Sequence, residues 1–274
     1  MITKAIPRTG EQLPVIGMGS WQTFDVGASE AERAPLREVL REFAALGGTL
    51  VDSSPMYGKS ERVIGDLLAE LGQRDRSFVA TKVWTTGRSA GVSEMEESLR
   101  LMKADPMDLM QVHNLLDVDT QLDTLRSWKE QGRVRYVGIT HYTTAGHAEV
   151  MRVLRRRPDV DFLQVNYSAL EPEAEKEVLP LARELGVAVI ANRPLGGAGM
   201  VGRLAGVPLP EVAGELGCTT WGQLLLKWCV GHPDVTCAIP ATSKVGHLRD
   251  NMAAGEGRLP SEEERRLVVA ALSR

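Results

Sequence analysis

Four residues have the types and placement to do chemistry together: Asp52, Tyr57, Lys82 and His113. The first two lie in Val51-Asp52-Ser53-Ser54-Pro55-Met56-Tyr57-Gly58. Lys82 closes the run Ser77-Phe78-Val79-Ala80-Thr81-Lys82, and His113 closes Met107-Asp108-Leu109-Met110-Gln111-Val112-His113. Reducing a carbonyl requires a hydride and a proton, and this set supplies the proton. A free tyrosine titrates at about 10. A lysine ammonium within reach lowers that value by stabilising the phenolate. A carboxylate paired with the lysine keeps it charged and aimed. A neutral histidine holds the substrate oxygen by a hydrogen bond. These roles suit Tyr57, Lys82, Asp52 and His113 in turn. Taken singly, each residue has an ordinary structural explanation. The chemical reading rests on all four recurring at or just after the ends of short apolar runs.

Those runs need a scaffold that brings their ends together. Strand-like stretches are expected at Val15–Met18, Thr49–Asp52, Phe78–Val83, Asp108–His113, Val134–Thr140, Phe162–Asn166, Val187–Ala191 and Thr236–Ile239. Between them, apolar residues recur at three and four over Pro35–Leu46, Ser60–Leu71, Ser93–Met102, Gln121–Gln131, Ala145–Arg155 and Ala174–Leu185, the period of amphipathic helices. Ser93 with Glu96, and Ser261 with Glu264, read as capping boxes that start helices. Gly47-Gly48 and Gly186 read as helix stops. The near-continuous apolar strands are those of a parallel sheet covered on both faces. About eight strand–helix units in roughly 250 residues predict a (β/α)8 TIM barrel, here a single domain over residues 1–274. Ile2–Ile6 followed by Gln12–Val15 reads as an N-terminal β-hairpin across the barrel bottom. An open doubly wound sheet would want a Gly-x-Gly-x-x-Gly turn after an early strand, and Gly17-Met18-Gly19-Ser20 is too short a match.

Composition narrows the function classes. The chain is 43 % hydrophobic and 25 % charged, with a net charge of −4. Both signs are interspersed, so no nucleic-acid surface is expected. The one basic cluster, Arg155-Arg156-Arg157, ends a predicted helix, where cations suit the dipole. Cys218, Cys229 and Cys237 have no Cys-x-x-Cys spacing and read as free thiols of a reducing compartment. The histidines and cysteines lack zinc spacing, so no metal is expected. No apolar run approaches a membrane span. Met1–Pro7 lacks the apolar core of a signal peptide. A cytoplasmic protein is expected, as a monomer or weak homo-oligomer.

With these motifs in place, the chain resembles the aldo-keto reductase family over nearly its whole length, in the manner of a short bacterial-type member. Asp52-x-x-x-x-Tyr57-Gly58 and Ser60-Glu61-x-x-Ile64-Gly65 are similar to the family's first signature. Thr81-Lys82, Gln111-Val112-His113-Asn114, Val137-Gly138-Ile139-Thr140, Gln164-Val165-Asn166-Tyr167 and Ile239-Pro240 through Asn251 follow in family order. The resemblance implies a barrel that binds an extended nicotinamide cofactor without a Rossmann domain. It also implies that Asp52, Tyr57, Lys82 and His113 form a catalytic tetrad with Tyr57 as general acid.

The same resemblance places the cofactor. Gly19, Ser20 and Trp21 correspond to first-strand residues beside it. Thr140 and His141 stand where the family usually has a Ser-Asn pair for the carboxamide, and Gln164 matches the glutamine on the same amide. Pro194-Leu195-Gly196 matches the segment that belts the pyrophosphate, where Gly196, Gly197 and Gly199 let backbone N–H groups approach phosphates. Thr242, Lys244, His247, Asp250 and Asn251 fall in the adenosine-binding stretch. Two departures stand out. Asn192, followed by Arg193, occupies a position where the family often stacks an aromatic on the nicotinamide. Ala241 stands where many members carry a lysine for the 2′-phosphate, and His247 replaces a common arginine. Arg193 is expected to contact the cofactor, and Lys244 to supply the missing charge. NADPH is the expected cofactor, with NADH or dual use as the alternative.

Trp21, Trp84 and Asn114 are expected to meet a small-molecule carbonyl substrate, because they neighbour the strand ends that carry the tetrad. Trp128 and Trp228 fall on helical stripes and are expected in the core. Residues beyond the helix near Ser261 are few, so no long C-terminal specificity loop is expected and the pocket should be open and permissive. The expected activity is NAD(P)H-dependent reduction of aldehydes or reactive ketones. The alternatives are an oxidative alcohol or sugar dehydrogenase using the same site, and a cofactor-sensing regulatory barrel with little turnover.

Overall fold

Eight parallel strands form one sheet in the computed structural model, which describes residues 1–197 and 199–272. An antiparallel hairpin comes first, β1 (Thr3–Ala5) with β2 (Gln12–Pro14). The sheet then runs in sequence order: β3 (Met18–Gly19), β4 (Leu50–Asp52), β5 (Phe78–Val83), β6 (Met107–Val112), β7 (Val134–Thr140), β8 (Phe162–Asn166), β9 (Ala188–Asn192) and β10 (Cys237–Ala238). Parallel bridges from Ile16 to Ala238 and from Gly19 to Ala241 join the last strand to the first and complete a (β/α)8 barrel. Gly19 is required at that seam: a Cβ there would lie 2.8 Å from the Ile239 carbonyl oxygen.

Helices cover the outside: α1 (Glu30–Ala45), α2 (Ser60–Glu70), α3 (Arg88–Met102), α4 (Val118–Glu130), α5 (His147–Arg156), α6 (Val178–Glu184), α7 (Met200–Arg203), α8 (Glu211–Glu215), α9 (Trp221–Gly231), α10 (Val245–Ala253) and α11 (Glu262–Leu272). Val51, Val79, Met110, Val137, Leu163 and Val189 point outward into the large core shared with them, to which Trp128 of α4 also belongs. Alternate strand residues point inward. Leu50, Phe78, Leu109, Tyr136, Phe162, Ala188 and Ile190 fill the barrel, and the hairpin closes its bottom by adding Ile6 and Leu13. Lys4 secures the hairpin by donating to the carbonyls of Val230, His232 and Val235 at 2.6–2.8 Å.

The strand period of two then sets the site. Two or four residues beyond Leu50, Phe78, Leu109 and Phe162 on the same inward face come Asp52, Lys82, Gln111 and Gln164. The barrel interior therefore changes from apolar to polar along its axis, toward the C-terminal ends of its strands. Gly138 makes room at this level, since a Cβ there would meet Gln111 Cγ at 2.9 Å.

Several expected boundaries move, for physical reasons. The Ser261–Glu264 box forms reciprocally, Glu264 N–H to Ser261 Oγ at 3.2 Å and Ser261 N–H to Glu264 Oε2 at 2.7 Å. The Ser93–Glu96 pair does not start a helix: α3 begins at Arg88, and both residues lie inside it. Gly91 docks so tightly against Gln121 that a Cβ would overlap its side chain, and Gln121 in turn donates to Thr85 O and Gly87 O. This packing sets the start. Helix α1 begins ahead of Pro35, where Glu32 accepts from the Ser29 hydroxyl at 2.5 Å and from the Gly27 amide at 2.9 Å. The stretch 174–185 divides into a 3-10 turn, Glu173–Glu175, and α6, with Pro180 in the first turn of α6. Every residue of α9 from Trp221 to Val230 is buried, Trp228 included. A helix packed on all sides has no polar stripe to announce it. Arg156 and Arg157 are paired with Asp119, and Arg157 also with Asp123 and Asp159. No helix among the described residues is long and apolar enough to cross a membrane, and none of their side-chain groups is suited to a metal ion. All three cysteines are free and buried.

Candidate active site

Asp52 and Lys82 meet across adjacent strands. Lys82 Nζ lies 2.6 Å from Asp52 Oδ2 and donates also to the Ser53 carbonyl at 2.6 Å. Asp52 Oδ1 accepts from Gln164 Nε2 at 2.9 Å and from Gln111 Nε2 at 3.2 Å. The carboxylate is thus held by one ammonium and two amides. Tyr57 comes from the loop after β4, and its ring centre lies 5.1 Å from Lys82 Nζ. His113 follows β6 and meets the Tyr57 ring edge-on, centroids 6.0 Å apart at 84°. Trp84, after β5, lies 6.3 Å from the His113 ring. The structure brings all four residues to one end of the barrel. Ser54, buried beneath them, places its hydroxyl 3.1 Å from His113 Nδ1. Ser20 and Ser53 share a hydroxyl contact at 3.1 Å, which continues to Ser60.

The electrostatics follow from burial. Burial disfavours the Lys82 charge, but Asp52 and Tyr57 outweigh it, and its pKa is raised. His113 is pushed down to about 3, first by burial and then by the Lys82 and His141 charges. It is neutral at pH 7. Tyr57 departs from the expected direction. Burial raises its pKa by more than the Lys82 charge lowers it, and Asp52 raises it further. The buried phenol holds its proton more firmly than a free tyrosine.

The residues matched to a cofactor divide into two groups. The first lines the strand ends. Thr140 Oγ1 accepts from the Asn114 amide at 3.1 Å, and His141 turns its Nδ1 onto Thr143. Gln164 is committed to Asp52. Asn192 Nδ2 donates to the His141 carbonyl at 3.1 Å, and Asn192 Oδ1 is buried with no protein partner, as is Asn114 Oδ1. Acceptors in that state call for an N–H or O–H donor. Arg193, at φ 50°, holds Glu171 at 3.2 Å and begins the Pro194-Leu195-Gly196-Gly197 turn. Gly196, Gly197 and Gly199 all have positive φ. The second group surrounds the turn from β10 into α10. Lys244 and His247 are exposed, and their side chains make no hydrogen bond or ion pair among the described residues. Asp250 instead faces α9, accepting from Thr220 Oγ1 at 2.8 Å and Gln223 Nε2 at 2.7 Å. Asn251 is buried and Thr242 bonds within its own turn.

The mouth is open and aromatic: Trp21 is 56 %, Tyr142 51 % and Trp84 42 % exposed. Sequence reasoning missed Ser54, Gln111, Glu171 and Tyr142 as members of this region. Gln111 shares the inward parity of His113, and Tyr142 sits just past β7, so both signals were present. The contact of Ser54 with a residue 59 positions away had none.

The model of the Aldo/keto reductase family matches residues 15–270. A methylglyoxal reductase of Escherichia coli K12 is 29 % identical over 96 % of this chain and 93 % of its own. The NADP-dependent D-sorbitol-6-phosphate dehydrogenase of Malus domestica is 26 % identical over 96 % of this chain and 91 % of its own. An aldo/keto reductase from Klebsiella pneumoniae, solved with NADP and acetate, superposes with a TM-score of 0.80 at 27 % identity, covering 95 % of this chain and 93 % of its own. The matched motifs run in order through a barrel of this shape, and the chain belongs to the aldo/keto reductase family.

Proposed function

We propose that this protein reduces aldehydes or reactive ketones to alcohols with NADPH. One observation carries the reading: Tyr57 stands beside a buried Lys82–Asp52 pair, with His113 at the edge of its ring. The bound cofactor supplies the hydride. Tyr57 gives its phenolic proton to the carbonyl oxygen, and Lys82 stabilises the phenolate left behind. Asp52, held by Gln111 and Gln164, keeps Lys82 charged and aimed. His113 donates a hydrogen bond to the oxygen as negative charge gathers there.

The residues present fit a nicotinamide dinucleotide. The unpartnered Asn192 Oδ1 suits the amide N–H of the nicotinamide ring, and the glycine turn suits the pyrophosphate. Arg193 and the free Lys244 suit the phosphates. The names of the relatives, a methylglyoxal reductase and an NADP-dependent sugar-phosphate dehydrogenase, agree with NADPH and a small carbonyl substrate. The aromatic rim of Trp21, Trp84 and Tyr142 suits a small carbonyl substrate.

The test is oxidation of NADPH and NADH over a panel of small aldehydes and ketones, for wild type and Tyr57→Phe. Turnover by wild type, a loss of at least about a hundredfold in the variant, and equal cofactor binding by both are expected. Cofactor binding without reduction of any carbonyl would overturn the reading.

A further inference from the structure

Ser54 is fully buried, and its hydroxyl has two neighbours within hydrogen-bonding distance. The Met56 amide N–H donates to it at 3.4 Å, and His113 Nδ1 lies 3.1 Å away. A hydroxyl has one hydrogen to give and two lone pairs to receive with. The Met56 amide takes one lone pair. If His113 Nδ1 carried a hydrogen, it would take the other, and no acceptor among the described residues would lie within hydrogen-bonding distance of the Ser54 hydrogen. A buried donor with no acceptor is the costlier arrangement. The hydrogen therefore belongs on Ser54 Oγ and points at a bare Nδ1.

We propose that Ser54 is a positioning residue that fixes His113 as the Nε2–H tautomer. His113 is neutral, so it has one ring hydrogen to place, and Ser54 sends it to Nε2. Among the described residues nothing bonds Nε2. Tyr57 meets the ring by its edge, Trp84 stands beside it, and Lys82 acts on it only through its charge. The free Nε2–H is then the donor available to a carbonyl oxygen, whereas the other tautomer would present a lone pair and repel it. This assignment rests on the proposed reduction for its purpose, but not for its evidence. Ser54 lies between Asp52 and Tyr57 in one loop, so one segment supplies the proton donor and sets the orientation of the second donor.

The experiment is a long-range proton–nitrogen correlation spectrum of ligand-free protein labelled at histidine nitrogen, for wild type, Ser54→Ala and Ser54→Thr. Wild type should show His113 as Nε2–H. Ser54→Ala should show a mixture or the Nδ1–H form, and Ser54→Thr, which keeps the hydroxyl, should restore Nε2–H. In carbonyl reduction, Ser54→Ala should lower kcat by about tenfold, less than deletion of a whole oxyanion donor, with cofactor affinity unchanged. Ser54→Thr should recover most of that loss. A wild-type spectrum showing Nδ1–H overturns the proposal even if neither variant folds. An unchanged tautomer in Ser54→Ala overturns it as well. If no carbonyl is reduced but the tautomer responds as expected, the proposed reaction fails and the assignment of Ser54 stands.

Discussion

Lys82 Nζ sits 2.6 Å from Asp52 Oδ2 with neither side chain open to solvent, yet the two partners are unequally provided for. Asp52 keeps two amide donors, from Gln111 and Gln164, if the ammonium is removed. Lys82 keeps no carboxylate if that charge is removed, with the neutral Ser53 carbonyl at 2.6 Å and the Tyr57 phenol beside it. Breaking a buried pair from one side costs about 3–5 kcal/mol, chiefly because the surviving charge is stranded. Asp52→Asn should therefore destabilise the fold by about 3 kcal/mol, and by more than Lys82→Met does. Urea unfolding of the two variants decides the order. An equal or larger loss for Lys82→Met would show that the two glutamines do not hold the carboxylate.

His113 predicts an acid limb of stability. Its folded pKa of about 3 lies below the unfolded histidine value, because burial and Lys82 oppose its charge. Between those two values the unfolded chain binds the extra proton, so stability rises with pH. The contribution is complete above about 6.5 and is lost as pH falls toward the folded value, at up to about 1.4 kcal/mol per pH unit. His113→Gln should flatten this limb in thermal unfolding measured from pH 7 to pH 4. A variant with the wild-type slope would place the titration elsewhere.

In the proposed reaction Tyr57 should set the alkaline limit of reduction. Its pKa is raised, burial being the largest cause, so the acid form persists through neutral pH. The reductive kcat of the free acid form should stay level to about pH 9 and fall only as pH passes the ordinary tyrosine range near 10. A fall already complete by pH 8 would mean that Lys82 outweighs burial.

Lys244 is the uncommitted cation at the start of α10, and Ala241 beside it has no charge. Lys244→Ala should weaken NADPH about tenfold, the effect of one charge-assisted hydrogen bond, and leave NADH unchanged. Titration by cofactor fluorescence reads both constants. Equal weakening of the two cofactors would remove Lys244 from the 2′-phosphate.

Arg193 is shared between Glu171 and the carbonyl of Tyr142. Arg193→Ala should weaken NADPH by about tenfold. Glu171→Gln, which frees the guanidinium from its carboxylate, should tighten it by about twofold and steepen its salt dependence. Unchanged affinity in Arg193→Ala would confine the residue to pinning the loops of the mouth.

The barrel and the gathering of Asp52, Tyr57, Lys82 and His113 at one end of it were legible in the residues because each depends on local pattern. The period of two along β4, β5 and β8 determines which side chains face inward. Asp52, Lys82 and Gln164 are polar residues on otherwise apolar inward faces, and that contrast is visible without a structure. So is the hairpin that closes the bottom. Tertiary structure decided what depends on neighbours far apart in the chain. Helix α9 is buried all round, so its sequence shows no stripe. The start of α3 is set by Gln121 against Gly91, and no capping pattern records that contact. The sign of the Tyr57 shift is a balance between burial and the Lys82 charge, and only the depth of the site tells which prevails. Ser54 is an unremarkable serine in the chain. Its distance from His113 Nδ1 makes it a partner of that ring, because a buried hydroxyl must give its hydrogen to whatever acceptor the fold places beside it.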